Sequence, residues 1–371
     1  MNKIKICFSV GDISANGGTE RVTTTLVNCL SEKIPTVLLS LEKSGEPYFH
    51  INDDIEIHYL NNKKSKNTLY TKSKNHITQL CHDFYYIIKN IKKTRQFLTK
   101  NKITHIVSTD TKMALLFRLS TIGVSTDVKV IAMEHFGYQV PHSILKSIRK
   151  ILYKYVHNIV ILTNEDYEQY IKINKKTNII PNIVAFETEL LPNPESKNII
   201  SVGRLEYQKG FDLLLDAWDK VENNTTDWKL NIFGSGSQQE QLNDKIKKLN
   251  LKRVQIRPHQ KDIMSEYLDS SFLVMSSRYE GLGMVLLEAL ACGIPCISFS
   301  CPTGPKTIIK DNYNGFLCTE EDTEELAEKI LLLTNNPNLL SQLKYNAKNS
   351  IYPFTKKEII SKWVSLLEED K

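Results

Sequence analysis

Two textures of apolar residues alternate along this chain. Short apolar runs stand at 4–10, 36–39, 55–59, 103–107, 128–133, 158–162 and 178–180. A second set follows at 198–203, 230–233, 254–256, 272–275 and 296–299. Between them lie longer stretches whose apolar positions recur every three or four residues, at about 19–30, 76–98, 112–120, 143–156, 211–221, 322–334, 336–348 and 355–369. A short unbroken run predicts a strand covered on both faces, and the longer period predicts an amphipathic helix. Their alternation predicts parallel sheets with helices on both sides. In such sheets ligands bind beyond the carboxyl ends of the strands.

The alternation lapses once, at residues 182–197, NIVAFETELLPNPESK, which lose periodicity and carry two prolines. A chain of 371 residues exceeds one ordinary domain. The expected organisation is therefore two Rossmann-like, doubly wound α/β domains, 1–185 and 186–352. A helix within 353–371 is long enough to reach back across the boundary.

Composition adds little: 41% hydrophobic and 24% charged residues describe a globular chain with ample core. No stretch approaches the roughly 20 apolar residues that cross a bilayer. The first apolar run is too short for a signal peptide and reads as a strand, so a cytoplasmic location is expected. Seven scattered cysteines form no disulfide framework. Cys292 and Cys296 lack a second ligand pair at zinc spacing, so packing rather than metal binding is expected of them. Charge is uneven. Residues 1–185 hold 26 Lys and Arg against 15 Asp and Glu, a balance of +11, and the remainder stands at −5. That asymmetry points the first half toward an anionic partner such as a membrane surface or lipid phosphate. General richness in Lys, Asn and Ile is the alternative source. No stacking-aromatic motif accompanies the charge, so nucleic acid is not expected.

Several candidates for chemistry follow predicted strands of the first half. Gly17 and Gly18 precede a helix and either let backbone N–H groups approach a phosphate or simply make a turn. Their spacing is not that of a nicotinamide fingerprint. His135 ends a strand and either polarises a substrate hydroxyl or caps the strand. Two segments suit a membrane. Residues 61–100 carry Lys63, Lys64, Lys66, Lys72, Lys74, Lys89, Lys92, Lys93, Arg95 and Lys100, with Tyr85, Tyr86 and Phe97 among them. Residues 143–156, SILKSIRKILYKYV, set Ile144, Ile148, Ile151, Leu152 and Tyr155 at helical spacing, with Lys146, Arg149, Lys150 and Lys154 largely opposite. Such a helix lies on an anionic bilayer or packs its apolar face on the sheet, and the packed arrangement is the expectation.

In the second half Arg204 and Lys209 flank a strand-to-helix turn, where two cations clamp a diphosphate or form a solvated basic turn. Gly234 and Gly236 form another turn of close approach. Pro258 and His259 lie in a loop suited to face a base. The densest stretch is SSRYEGLGMVLLEALACG, 276–293. Glu280 stands before Gly281-Leu282-Gly283, and Glu288 lies on the helix that begins near Met284 and Val285. Carboxylates accept from hydroxyls, and the free N–H groups of a helix start face an anion.

These motifs together resemble glycosyltransferase family 4, retaining sugar-nucleotide transferases of the GT-B fold, over most of the chain. The residues that carry the resemblance are Glu280-Gly-Leu-Gly with Glu288, then VGRLEYQKG at 202–210, IFGSGS at 232–237, IPN at 180–182 and GGTER at 17–21. The resemblance implies two Rossmann-like domains facing a cleft, with the first binding the acceptor, the second binding the nucleotide sugar, and a C-terminal helix crossing back to the first. It implies that Gly17, Gly18, Arg204 and Lys209 meet the donor diphosphate. Glu280 and the backbone of Gly281, Leu282, Gly283, Met284 and Val285 would meet the donor sugar. Glu288 would hold the ribose, and His135 would lie near the reacting sugar. No cofactor and no metal are implied. The donor is expected to be a UDP-sugar, with Arg204, Lys209 and a helix dipole at Gly283 neutralising the leaving group.

Many relatives carry Gly-Gly-x-x-Glu after the strand that follows Glu288. Here the stretch is Thr303-Gly304-Pro305-Lys306-Thr307, with Thr where Glu is common. The CPTGP form looks like the branch that builds bacterial surface polysaccharides such as O-antigen or capsule. The implied acceptor is a lipid-linked glycan at the inner membrane face. Two other readings remain at this point. One is an epimerase or glycan phosphorylase on the same fold, the latter betrayed by the absorbance of pyridoxal phosphate. The other is a non-catalytic glycan-binding scaffold, which need not keep Glu280, Glu288, Arg204 and Lys209.

Overall fold

The computed structural model describes residues 4–62, 68–69, 76–123, 127–141, 143–260 and 262–369. Of the basic residues in 61–100, Lys63, Lys64, Lys66, Lys72 and Lys74 lie outside them. The chain divides into two units, one comprising 1–185 with 356–371, the other 186–355.

The first unit runs β1 (Ile6–Asp12), α1 (Gly18–Leu30), β2 (Thr36–Glu42), β3 (Ile57–Asn61), α2 (His76–Lys100), β4 (His105–Ser108) and α3 (Thr111–Thr121). It continues through β5 (Lys129–Met133), α4 (Ser143–Leu152), β6 (Asn158–Ile161), α5 (Tyr167–Ile171) and β7 (Thr177–Ile179). The described strands form one parallel sheet in the order β3-β2-β1-β4-β5-β6-β7. All positions of β4 and β6 are buried, as expected of parallel strands covered on both faces. Right-handed crossovers put α2, α3 and α4 on one face of the sheet, and α1 on the other. α3 packs against both α2 and α4.

The second unit runs β8 (Asn198–Val202), α6 (Phe211–Asn223), β9 (Lys229–Phe233), α7 (Gln239–Lys248), β10 (Val254–Arg257), α8 (Met264–Leu268) and β11 (Phe272–Met275). Then come α9 (Met284–Ala291), β12 (Cys296–Phe299), α10 (Pro305–Ile308), β13 (Gly315–Cys318), α11 (Thr323–Thr334) and α12 (Pro337–Ser350). Its parallel sheet has the order β10-β9-β8-β11-β12-β13. Trp218 of α6 is fully buried among Leu214, Phe272 and Leu326 in one apolar core. The last helix, α13 (Lys356–Glu368), belongs to the first unit. It packs on α1, and its buried Trp363 meets Phe8 of β1 edge-on, with ring centres 5.2 Å apart.

One expectation is overturned. Leu152 packs inward and Lys150 and Lys154 are solvated as expected, but the helix turns Ile144 and Ile151 outward and buries Arg149 instead. Ile144, Ile151 and Tyr155 are exposed, the last two at 65% and 63%, while Arg149 is buried at 0%. The reason lies outside the helix. The Arg149 guanidinium stacks over the rings of Tyr138 and Tyr170, at 4.5 and 5.2 Å. It donates to the Tyr138 carbonyl and lies 3.5 Å from the Glu134 carboxylate. Tyr153 and Thr111 also donate to Glu134. An ion pair and two cation–π contacts offset the desolvation of one guanidinium, which periodicity along a single helix does not register.

Candidate active site

Each sheet has one point where the winding reverses, between β1 and β4 in the first and between β8 and β11 in the second. Loops leaving neighbouring strands diverge there and leave a crevice at the carboxyl edge. In the second unit the two loops are 203–210, after β8, and 276–283, after β11. They are laced together. Lys209 Nζ lies 2.6 Å from Glu280 Oε1, with the two side chains 15% and 8% exposed. Ser277 donates to the same carboxylate oxygen at 2.7 Å, and Ser276 donates to the Lys209 carbonyl at 3.0 Å. Gln208 donates to the Tyr279 carbonyl at 3.0 Å and accepts from the exposed Arg204 at 3.0 Å.

Arg278, which sequence reasoning passed over, braces the two loops from outside. It forms a two-pronged pair with Asp212 at 2.9 and 2.8 Å and stacks over Tyr207 at 4.0 Å. The Arg278 hydrogen bond holds the Asp212 carboxyl below the usual carboxylate range despite its partial burial. Only the arginine just before Glu280 in the sequence hinted at this.

Glycines permit the close approach. A Cβ at Gly210 would lie 2.0 Å from the Ser276 carbonyl oxygen, and one at Gly234 would lie 1.9 Å from that of Gly203. The glycines of IFGSGS therefore serve loop-to-loop packing. A third strap, 301–304, supports the Glu280 turn from beneath. Thr303 is buried and donates to the Glu280 carbonyl at 2.5 Å. Gly304, at φ 100°, lies so near that a Cβ would come within 2.6 Å of the Leu282 carbonyl oxygen. Thr303, which stands where the first glycine of the common Gly-Gly-x-x-Glu pattern would be, is thus a support of the turn that carries Glu280.

Past the turn, α9 starts at Gly283, φ 90°, with no side chain capping its first N–H groups. Leu282 and Gly283 are buried, whereas Gly281, Met284 and Val285 are partly open. Glu288 is buried along α9 and accepts from the Tyr267 hydroxyl of α8 at 2.9 Å. Tyr267 is a second residue the sequence did not reveal, since it acts across two helices. Pro258 and His259 are exposed in the loop after β10, an outer strand of the sheet, away from the reversal at β8 and β11.

In the first unit Gly17 is the N-cap of α1, with extended backbone and no side-chain cap, and Gly18 is its first residue. A Cβ at Gly18 would meet nothing within 4 Å. Gly17 has φ −79°, so neither glycine is needed for a left-handed turn. His135 follows β5 and is buried, and its Nε2 has no hydrogen-bond partner among the described residues. Burial pushes its pKa down to about 4, so the ring is neutral near pH 7. Its loop is fixed on both sides: the Glu134 N–H donates to the Val160 carbonyl, and the Tyr138 N–H donates to Asp166 at 3.0 Å. Among the described residues, no group of three His, Cys, Asp or Glu side chains is placed to hold a metal ion.

The family model described as Glycosyl transferases group 1 matches residues 185–350. An uncharacterized glycosyltransferase of Methanocaldococcus jannaschii is 30% identical over 293 residues, 72% of this chain and 70% of that protein. This chain belongs to the group 1 glycosyl transferases. The transferase is also 29% identical to an amylovoran biosynthesis glycosyltransferase of Erwinia amylovora, over 98% of this chain and 99% of that one. It is 26% identical, over 99% of both, to the Campylobacter jejuni N-acetylgalactosaminyltransferase whose name gives a diNAcBac-PP-undecaprenol glycan as acceptor. The relatives thus include bacterial transferases of surface-polysaccharide synthesis. The fold of the transferase matches the crystal structure of Anabaena HepE in complex with UDP and glucose, with a TM-score of 0.78 and 16% identity over 98% of this chain and 99% of that one. The two parallel-sheet α/β domains are those of a GT-B glycosyltransferase.

Proposed function

We propose that this transferase is a retaining, family 4 enzyme that moves a hexose or N-acetylhexosamine from a UDP-sugar to a lipid-linked glycan during assembly of a cell-surface polysaccharide. The observation that carries the donor reading is the Lys209–Glu280 pair at the reversal point of the second sheet, beside the uncapped start of α9. A lysine side chain held by a carboxylate is fixed in position close to where an anion would bind. The partly open backbone of Gly281 to Val285 adds N–H donors and the positive end of a helix.

The leaving group of such a transfer is a nucleoside diphosphate, so stabilising its charge is the main chemical demand. Arg204 and Lys209 are proposed for that role, together with the α1 start at Gly17 and Gly18. Glu280 accepts from donor-sugar hydroxyls. Glu288, steadied by Tyr267, accepts from the ribose. His135, neutral, offers a hydrogen bond to the reacting sugar, and Pro258 and His259 are the weaker proposal for base contact. No metal or other cofactor has a role in this scheme. The UDP of HepE supports the donor class, and the undecaprenol-linked acceptor of the C. jejuni relative supports a lipid carrier. A panel of nucleotide sugars, read by thermal shift and hydrolysis, tests the proposal. UDP and one UDP-sugar should raise the melting temperature in the parent and not in Lys209→Met. Stabilisation by other nucleotides alone would overturn the donor assignment.

A further inference from the structure

Five large apolar side chains between residues 136 and 155 stand open to solvent: Phe136, Val140, Ile144, Ile151 and Tyr155. Three of them mark the outer side of α4 and the turn after it. Their inward counterparts are Arg149, Leu152 and Tyr153, all buried. Because the buried arginine turns the helix over, Ile144 and Ile151 face outward and Ile148 is partly open. Beside this stripe Lys150 and Lys154 are exposed, and Lys146 is partly so.

The stripe ends at a cavity of about 480 Å³ lined by Arg118, Lys129, Lys154, Tyr155 and His157, with one acid, Asp127. The cavity lies at the amino ends of β5 and β6, opposite the carboxyl edge that carries His135. It is therefore separate from the site described above. A second open stripe, Phe84, Tyr85 and Ile88, runs along α2 in the same helical layer, next to exposed Lys89 and Lys92.

We propose that the outer face of α4, from Ile144 to Tyr155, docks on an anionic lipid bilayer, with the adjoining cationic cavity receiving lipid phosphate groups. Apolar side chains flanked by lysines match the boundary between acyl chains and anionic headgroups. Charge argues against a second copy of this chain as the occupant. A two-fold contact sets a face against itself, so Lys146, Lys150 and Lys154 would oppose their own equivalents. The surface would hold the enzyme where a lipid-carried acceptor resides, and in that sense it rests on the acceptor reading above.

Flotation of the full chain with phosphatidylcholine vesicles, with and without phosphatidylglycerol, tests the proposal. It needs neither donor nor acceptor, so its failure leaves sugar transfer standing. The transferase should float only with phosphatidylglycerol and should be released by added salt. Ile144→Ser with Ile151→Ser, and separately Lys150→Glu with Lys154→Glu, should each weaken binding by about tenfold or more. Melting temperature and donor hydrolysis should stay at parental values in both. Absence of flotation at low salt, or parental binding by either variant, overturns the proposal. So does sedimentation showing a parental dimer that the isoleucine variant dissociates, which would make the face an interface between copies.

Discussion

Lys209 Nζ and Glu280 Oε1 stand 2.6 Å apart and join the loop after β8 to the loop after β11. The sequence suggested separate tasks for these residues, diphosphate for one and sugar for the other. The structure shows that they first hold each other. Lys209→Met should lower kcat/KM by roughly 10²–10³-fold, as loss of one transition-state donor does elsewhere. It should also destabilise by about 1–3 kcal/mol, because Glu280 loses a partner in a nearly dry place. Adding Glu280→Gln should restore about 1 kcal/mol relative to the sum of the single changes. Chemical denaturation of the four proteins measures this, and strict additivity would mean that the pair is not coupled.

Thr303→Val keeps shape and removes the hydrogen bond to the Glu280 carbonyl. The expected result is a loss of about 1–2 kcal/mol in stability and a raised KM for the donor, with Thr303→Ser close to the parent. Equal KM values for the valine and serine variants would show that the hydroxyl does not place Glu280.

His135 should give the protein an acid-sensitive component. Its folded pKa is about 4 against an ordinary 6.5, so the unfolded chain binds the proton more readily. The corresponding stability is full above pH 6.5 and is lost as pH falls toward 4, up to about 3 kcal/mol. His135→Gln should remove that part of the slope. Melting temperatures of parent and variant should therefore converge as pH falls from 6.5 to 4, and a constant gap would contradict the assignment.

Arg149→Met should cost about 3–5 kcal/mol, since it leaves the Glu134 carboxylate buried with tyrosines. Burial already pushes the Glu134 carboxyl up, and the Arg149 charge opposes that rise. The double variant with Glu134→Gln should recover part of the loss, as read by urea unfolding. A double variant less stable than Arg149→Met would place the strain elsewhere.

Arg149 also shows where reading the chain stops. The strands were legible because a parallel strand covered on both faces is predominantly apolar, as 272–275 is throughout and 296–299 is except for Ser298. Arg204, Lys209 and the Glu280 turn were legible as residue types at strand ends, but the pairing of Lys209 with Glu280 was not. The direction in which the 143–152 helix faces was not. It depends on Glu134 and Tyr138 in the loop after β5 and on Tyr170 of α5, and a helical period carries no information about them. The departure within 303–307 was the Thr at the glutamate position, Thr307; the part played by Thr303 was not legible, because its acceptor lies 23 residues away in the chain. Tyr267 meets Glu288 across 21 residues, and that contact escaped notice for the same reason.

The chain leaves the first unit after Ala185 and rejoins it at Lys356, so that unit is discontinuous in sequence. Trp363, packed on Phe8, arrives only after the entire second unit has been threaded. Residues 1–185 alone would lack an indole of their own core. A chimera that exchanges the second half with a relative must therefore be built as an insertion between 185 and 356, with the final helix retained. A head-to-tail fusion would leave the first domain unfinished.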